Sequence, residues 1–416
     1  MSHGAGAPVA AVRAAWVLPI AQPPVRDGGL LCERGRLLAI GPWPRIEGIA
    51  RERERAGTPV AWRDAGARAV LPGLVNAHTH LELGWLRGRL PAFATMPEWV
   101  QALVALRRRE AADEVAASEA GVRECLACGT AAVGDVGNTA ASCGPLAASR
   151  LQAVVFRELI GFDPPDPDAL VSRALHEAAR DAAPNLRVTV SAHAPYSVAP
   201  GLFDAIRRHV LAGPAPVLAV HLAESAEESR LLADGSGPWR DLLEQVGTWT
   251  PRWTPPRCSP VRYLERLGWL VPGAVLVHMV QASEADLERV AAAGASIVTC
   301  PRSNERLRVG VPPVVAFLAS GANVAVGTDS LASNDDLNVF GELAALRRLA
   351  PHVPAARLLA CATIGGARAL RLDADLGTLE PGKRAAAIAV TVKAGDDVEE
   401  RLVRGVDAGD IEWVAA

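Results

Sequence analysis

The chain has 416 residues, half of them hydrophobic, and its formal net charge is only −3. This length allows one large domain or two domains with a substantial core. A near-neutral chain without a basic block is not typical of proteins whose main partner is nucleic acid or an anionic membrane. No apolar run reaches the ~18 residues of a membrane-spanning helix. We therefore expect neither nucleic acid nor a membrane as a partner.

The N-terminal region and the cysteines indicate a cytoplasmic protein. The stretch Val9–Ala21 is apolar, but Arg13 interrupts it and Gln-Pro-Pro follows it. A signal peptide would carry its charge before the apolar segment and end at a small-residue cleavage site. The seven cysteines are odd in number and spread along the chain, which is not the pattern of a disulfide framework.

Short strand-like runs open the chain, at Ala14–Ile20, Gly29–Cys32 and Leu37–Gly41. After them, eight glycine-bounded segments with strand character alternate with amphipathic segments such as Glu98–Arg109 and Asp168–Ala182. The eight predicted strands are Arg68–Val75, Thr130–Val136, Gln152–Glu158, Leu186–His193, Val217–Leu222, Ala274–Met279, Ser296–Cys300 and Asn323–Asp329.

This alternation, over roughly 300 residues, predicts a (β/α)8 barrel of the TIM type. A doubly wound open sheet is the alternative fold. That fold usually carries a glycine-rich phosphate loop after its first strand, and the sequence has none.

The segments that flank the barrel are predicted to form a second, smaller domain. Residues 68–375 form the barrel, and residues 1–67 and 376–416 combine into a small β-sandwich, because the turn-rich Leu376–Lys383 leads into the strand-like Ala385–Val392. The tryptophan- and proline-rich stretch 235–260 lies between the fifth and sixth strands. It is either a lid over one mouth of the barrel or an ordered surface excursion.

Histidines lie where a barrel enzyme carries its chemistry, at the carboxyl ends of the strands. His78 and His80 are two residues apart, so a strand would present both imidazoles on one face, as half of a metal site. The fourth, fifth, sixth and eighth strands end in further polar groups, in that order His193, His221, His278 and Asp329. Each of them alone has a structural explanation, but together they indicate a metal site.

These motifs resemble the amidohydrolase superfamily, in its branch of mononuclear-zinc aminohydrolases. That branch includes deaminases of adenosine, S-adenosylhomocysteine and guanine, and also triazine hydrolases. The resemblance covers nearly the whole chain and rests on the segments Pro72–His80, His193–Tyr196, His221–Glu224, Cys300–Asn304, Gly327–Asp329 and Pro381–Lys383.

The resemblance implies one Zn²⁺ held by His78, His80, His221 and Asp329, with a water in the open position. The same donors also suit Fe²⁺ or Mn²⁺.

Binuclear members of the superfamily bridge their metals with a carboxylated lysine on the fourth barrel strand. Both lysines of this chain, Lys383 and Lys393, follow the barrel. A lysine-bridged binuclear centre is therefore excluded.

The resemblance also implies how the site would work. Zinc would lower the pKa of its water toward ~7 and generate hydroxide. Asp329 would accept the water's proton, and His278 would orient the hydroxide. Glu224, three residues after His221, would protonate the ring nitrogen beside the attacked carbon and pass a proton to the departing ammonia.

Substrate contacts are expected from several elements. In this branch, His193 faces the substrate, and Asn304 is expected there as well. Glu82 is expected to accept hydrogen bonds from ribose hydroxyls, since carboxylates are strong acceptors. A substrate carboxylate would need an arginine, and the candidates are Arg87, Arg302 and Arg306.

The resemblance implies hydrolytic deamination of an aminopurine nucleoside, with 6-aminodeoxyfutalosine of menaquinone biosynthesis as the expected substrate. The alternatives are deamination of guanine, a pterin or another nitrogen heterocycle, and triazine dechlorination. A third possibility is a catalytically silent metal-binding protein. The expected partner is a small molecule, and the chain could form a homodimer.

Overall fold

The computed structural model describes residues 9–91, 93–393, 395 and 397–415. Its strands, in chain order, are β1 (Val9–Val17), β2 (Val25–Glu33), β3 (Arg36–Pro42), β4 (Val60–Asp64), β5 (Arg68–Pro72), β6 (Leu74–Thr79), β7 (Thr130–Gly137), β8 (Gln152–Leu159), β9 (Leu186–Ala192), β10 (Leu218–Leu222), β11 (Ala274–His278), β12 (Ser296–Thr299), β13 (Asn323–Val326), β14 (Ala387–Thr391) and β15 (Ile411–Ala415).

Eight parallel strands form the larger domain in the described part of the chain, as two sheets with the orders β6-β7-β8-β9 and β10-β11-β12-β13. The sheets meet along two seams. At one, Thr79 pairs with Asp329 in parallel. At the other, the His221 amide donates to the His193 carbonyl oxygen over 2.9 Å. These contacts join the sheets as in a (β/α)8 barrel, and the predicted fold is confirmed.

Helices connect the strands of both domains. They are α1 (Trp43–Arg55), α2 (Met96–Arg109), α3 (Glu114–Ala127), α4 (Cys143–Ala147), α5 (Pro167–Asp181), α6 (Pro200–Leu211), α7 (Ala226–Asp234), α8 (Pro238–Gln245), α9 (Pro260–Arg266), α10 (Glu284–Ala292), α11 (Pro301–Leu307), α12 (Val314–Ala319), α13 (Val339–Leu349), α14 (Ala355–Ala360), α15 (Gly366–Ala369) and α16 (Val398–Val403). Short 3-10 turns occupy Leu81–Leu86 and Ala408–Asp410, and a π-helical turn occupies Cys361–Gly365. Among the described residues, no helix is both long and apolar enough to cross a bilayer.

The first predicted barrel strand, Arg68–Val75, is wrong in its extent, because this apolar run contains two strands. β5 pairs with β1 and β14 in the small domain, and β6 begins the barrel. The chain changes partner at Gly73, where a Cβ atom would lie 2.6 Å from that of Ala131. Only glycine fits this junction without displacing its neighbours.

The two ends of the chain form the small β domain together, as predicted. Its seven strands, counted over the residues that the structure describes, run in the order β15-β14-β5-β1-β2-β3, with β4 on β1. One apolar cluster of this sheet includes Val12, Leu30 and Val70. A second cluster joins the sheet to α1 through Ile46 and Ala50. The sequence reasoning did not predict α1.

The stretch 235–260 contains α8, and two of its tryptophans pack against residues outside it. Its Trp239 side chain is buried and stacks on Tyr196 with ring centroids 3.8 Å apart. Trp253 packs against Phe162, at 5.5 Å between ring centroids. The same apolar cluster includes Met96 at the start of α2. This stretch therefore supports one wall of the pocket described below.

Candidate metal and catalytic site

Four side chains predicted as metal ligands converge at the carboxyl ends of the barrel strands. The Nε2 atoms of His78 and His221 lie 3.3 Å apart. The Nε2 atoms of His78 and His80 lie 3.7 Å and 3.6 Å from the same oxygen, Oδ1 of Asp329. The structure thus brings the four predicted ligands together from β6, β10 and the segment after β13.

Hydrogen bonds across one seam hold Asp329 against His78. The Asp329 amide donates to the His78 carbonyl oxygen over 3.0 Å. One residue before Asp329, Thr328 exchanges two hydrogen bonds with the Asn76 side chain, of 2.7 Å and 3.0 Å. Asp329 has a φ of 59°, a left-handed conformation that is uncommon for residues other than glycine and concentrates at functional sites.

The second carboxylate oxygen of Asp329 is fixed by two hydroxyls. Oδ2 accepts from Ser303 at 2.5 Å and from Ser333 at 2.9 Å, while the Ser330 amide donates to Oδ1 at 2.7 Å. Burial alone would raise the pKa of Asp329, but the hydrogen bond from His78 and the neighbouring imidazoles hold it well below its usual value. The group therefore stays ionised, as a metal ligand must.

The donor set fits a divalent metal ion. One ligand atom from each of His78, His80 and Asp329 lies within 4.8 Å of the others. Burial lowers the pKa of His80 and brings that of His221 to about 4, so both imidazoles are neutral at pH 7 and keep a lone pair. The His221 Nδ1–H donates to the His193 carbonyl oxygen over 2.9 Å, which leaves Nε2 for the metal.

Glu224 and His278 stand next to this cluster. Oε1 of Glu224 lies 3.4 Å from Nε2 of His278. The amide Nδ2 of Asn304 donates to Nδ1 of His278 at 3.0 Å, and this fixes the ring proton on Nε2, which faces Glu224. Asn304, which is expected to contact the substrate, thus also sets the tautomer of His278.

A second buried carboxylate shapes the loop that carries Glu224. Glu228 accepts from the amides of Ala223 and Glu224 at 3.0 Å and 2.9 Å. Ala223 has a φ of 50°, which turns the chain sharply after β10. Burial, reinforced by the charges of Asp329 and Glu228, raises the pKa of Glu224 well above its ordinary value. Glu224 therefore favours the protonated form.

The cluster opens into a cavity of about 190 Å³. One wall is apolar and comes from α2, through Trp99, Val100 and Leu103. His193, which is expected to face the substrate, also lines this cavity. The Ser197 hydroxyl donates to the Ala194 carbonyl oxygen, so the ring Nδ1–H of His193 donates to Ser197 Oγ at 2.6 Å. Nε2 of His193 is thereby left as an acceptor.

Glu82 is buried, and its carboxylate makes hydrogen bonds within the protein. Its oxygens accept from the amides of Asn138 and Thr139 at 2.9 Å and 3.0 Å, and from the Thr139 hydroxyl at 2.5 Å. Arg107 lies 3.6 Å away. This arrangement ties the 3-10 turn Leu81–Leu86 to the end of β7 and does not support the expected ribose contact.

The arginines considered for a substrate carboxylate are also engaged elsewhere. Arg87 is paired with Glu124. Arg302 contacts Glu342 at 2.6 Å and Asp336 at 2.8 Å. Arg306, the third candidate, pairs with an exposed aspartate, Asp335. The structure places none of these three described arginines among the residues that line the cavity.

Three polar residues that the sequence reasoning did not select do line the cavity: Arg107 of α2, Asn138 after β7 and Glu158 of β8. Arg107 Nη1 donates to Asn138 Oδ1 at 3.0 Å, and Asn138 Nδ2 donates to Glu158 Oε2 at 2.9 Å. A signal for two of them existed, since Asn138 and Glu158 stand at the ends of predicted strands, where the selected histidines also stand.

Comparisons with known proteins agree with this geometry. The model of the amidohydrolase family matches residues 69–407. An aminodeoxyfutalosine deaminase of Deinococcus radiodurans is 34% identical over 349 residues, which are 80% of this chain and 81% of that protein. A 5-methylthioadenosine/S-adenosylhomocysteine deaminase of Nitratidesulfovibrio vulgaris is 32% identical over 86% of this chain and 78% of its own length.

A solved structure is also similar over nearly the whole fold. An adenosine deaminase from Xanthomonas campestris with bound zinc superposes with a TM-score of 0.81 at 27% identity, covering 97% of this chain and 90% of that chain.

Proposed function

Because the chain belongs to the amidohydrolase family and is a hydrolytic deaminase, we propose that it deaminates an aminopurine nucleoside, 6-aminodeoxyfutalosine. The observation that carries this proposal is the buried Glu224 carboxyl, 3.4 Å from His278 and next to the metal-ligand cluster. Such a group can deliver a proton to a ring nitrogen at the place where water attacks. The similarity to an aminodeoxyfutalosine deaminase supports the choice of substrate and a role in menaquinone biosynthesis.

The proposed metal is one Zn²⁺ bound by His78, His80, His221 and Asp329. When bound, it supplies a water whose pKa is lowered toward ~7 and a positive charge beside the attacked carbon. Three imidazoles and a carboxylate are donors that zinc favours, although iron and manganese accept them too.

The remaining chemistry belongs to side chains. Glu224 gives its proton to the ring nitrogen adjacent to the carbon that bears the amino group. Asp329 accepts a proton from the attacking water through a carboxylate oxygen. The Nε2–H of His278 orients that water. The proton held by Asp329 passes to the departing amino group, and the proton of the added hydroxyl group returns to Glu224 as the carbonyl forms. Water is therefore consumed and ammonia is released in equal amounts.

A second candidate is deamination of 5′-methylthioadenosine or S-adenosylhomocysteine, which the similarity to the Nitratidesulfovibrio enzyme favours. Other nitrogen heterocycles, guanine and pterins among them, and triazine dechlorination would use the same metal site. The pocket lining decides between them.

Ammonia release from a panel of substrates tests the proposal. We expect kcat/KM for 6-aminodeoxyfutalosine to exceed that for 5′-methylthioadenosine, S-adenosylhomocysteine and guanine by at least ~10-fold, which corresponds to about 1.4 kcal/mol of transition-state discrimination. Equal or faster turnover of guanine would remove the assigned substrate.

The catalytic role of Glu224 has its own measurement. We expect Glu224→Gln to lower kcat by ~10²–10⁴-fold, the usual contribution of a positioned proton donor, while the protein keeps its zinc. Glu227→Gln, three residues away on α7, serves as the control and should retain wild-type kcat. If Glu224→Gln kept more than a tenth of the wild-type kcat, this role would be wrong.

A further inference from the structure

Glu158 has an unused hydrogen-bond acceptor in the cavity. Its side chain is only 5% exposed, and it lines the cavity near His193 and His221. Oε2 accepts from Asn138 Nδ2 at 2.9 Å. Oε1 is buried and has no hydrogen-bond partner among the described residues. A buried acceptor of this kind costs stability unless a partner reaches it.

The groups described around Oε1 do not donate a hydrogen bond to it. Nδ1 of His221 is 3.5 Å from Oε1, and its hydrogen is already directed to the His193 carbonyl oxygen. On the other side, Asn138 is held in place by Arg107 Nη1 at 3.0 Å, which aims its amide at Oε2. The network thus fixes the carboxylate while it keeps one oxygen free.

His193, whose Nε2 is left as an acceptor, lies beside Glu158. One carboxylate oxygen of Glu158 and one ring nitrogen of His193 lie within 4.8 Å of each other. A ligand that satisfies this part of the cavity must therefore bring hydroxyl or amino donors. The neighbouring hydroxyls of a ribose are donors of this kind, and a free purine base lacks them.

We propose that Glu158 is a specificity-determining residue, whose Oε1 accepts a hydrogen bond from a sugar hydroxyl and so selects nucleosides over free bases. The inference rests on the proposed function, because it concerns how the same pocket selects its substrate. It replaces Glu82, whose oxygens are already bonded to the 138–139 backbone.

Binding of adenosine and of 2′,3′-dideoxyadenosine tests the role without relying on turnover. The parent protein is the zinc-loaded Glu224→Gln variant, and Kd is measured by calorimetric titration. We expect the parent to prefer adenosine by at least ~10-fold, because the dideoxynucleoside would leave the buried Oε1 acceptor without a partner. Adding Glu158→Gln should reduce this preference to about threefold or less, with the Kd of the dideoxynucleoside nearly unchanged.

Glu82→Gln in the same parent is the matched control and should keep the preference. An unchanged preference in the Glu158→Gln protein, or a preference near one in the parent, would overturn the inference. Zinc content is measured in each protein, because loss of zinc from Glu158→Gln would show that Glu158 only supports His221, which also overturns it. Failure of the proposed function would look different: the wild-type protein would release no ammonia from any aminopurine nucleoside, whatever these binding ratios are.

Discussion

Buried carboxylates surround this pocket, and their roles depend on which partners each oxygen has. Glu228 uses both oxygens on backbone amides, and its pKa is raised to about 7 by burial. Asp135 at the end of β7 accepts from the Leu81 amide at 2.8 Å with one oxygen, while the other has no hydrogen-bond partner within the described chain. Burial raises the pKa of Asp135 to about 7 as well, although the nearby Ser142 hydroxyl and the Leu81 amide lower it.

The Asp135 carboxyl makes the stability of the protein depend on pH. An unfolded aspartate titrates near pH 4 and the folded one near 7. The folded state therefore binds the proton more tightly, and the stability from this group is present below about pH 4 and lost as the pH rises through 7. The difference of about 3 pKa units corresponds to at most ~4 kcal/mol.

We expect Asp135→Asn to weaken this dependence, because the amide keeps the acceptor for Leu81 and carries no charge. The free energy of unfolding is measured by urea titration at pH 5 and at pH 8. Its decrease between these two pH values should be a few kcal/mol smaller in the variant than in the wild type. Asp335→Asn, at an exposed position, should retain the wild-type difference. If the unfolding free energy changed equally between pH 5 and pH 8 in Asp135→Asn and in the wild type, Asp135 would not be the source of the pH dependence.

Residue chemistry at strand ends made the metal ligands predictable. The strand period places His78 and His80 on one face, and barrel geometry places His221 and Asp329 at the same rim. The choice of these four as the ligands came from the family resemblance. The fate of Glu82 was not predictable, because its partners lie 56 and 57 residues away in sequence. Only the folded chain shows that these backbone amides donate hydrogen bonds to both oxygens of the Glu82 carboxylate.

Among the elements, the contact between β6 and the segment after β13 matters most for the site. Gly327 packs directly on His78, where an added Cβ would lie 2.6 Å from the His78 Cβ and 2.7 Å from its carbonyl oxygen. Both of those atoms are fixed by the main chain, so neither can move away cheaply. The absence of a side chain at this position lets two strands from different sheets approach and bring their ligands together.

We expect Gly327→Ala to separate His78 from Asp329 and to weaken zinc binding by ~10–100-fold, as loss of ligand support does in other metal sites. The Kd is measured by competition with a chromophoric chelator. Gly48→Ala on α1 is the control, because a Cβ there meets nothing within 4 Å. Wild-type zinc affinity in Gly327→Ala would show that the strands can adjust.

The sequence pattern identified most strands and helices, but it did not show which strands pair with each other. The remaining barrel strands were located because apolar runs ended at glycines or polar residues. The run Arg68–Val75 was predicted as one strand because its apolar character continues through a change of sheet at Gly73. The strands that pair with its first half, β1 and β14, are distant in sequence and could not be identified from the run itself. The small domain could be predicted only in outline for the same reason.

At the scale of the whole molecule, the barrel consists of two halves that the proposed metal would connect. His78 and His80 come from the half β6–β9, whereas His221 and Asp329 come from the half β10–β13. Main-chain hydrogen bonds cross the seams at Asp329 with His78 and at His221 with His193. An ion bound by all four ligands therefore adds a link between the halves next to each seam.

Removal of the metal should then loosen both seams as well as abolish activity. A ligand that binds only the folded state stabilises it by ~4 kcal/mol at a thousandfold excess over Kd, so the Tm of dipicolinate-treated protein should fall by several degrees and recover when zinc is added. In hydrogen exchange, the amides of His221 and Asp329 should lose protection more than those inside either sheet, because their acceptors lie across the seams. Glu224→Gln, which keeps all four ligands, should show the same zinc-dependent rise in Tm although it is inactive. Equal protection of these amides with and without zinc would mean that main-chain contacts alone hold the two halves together.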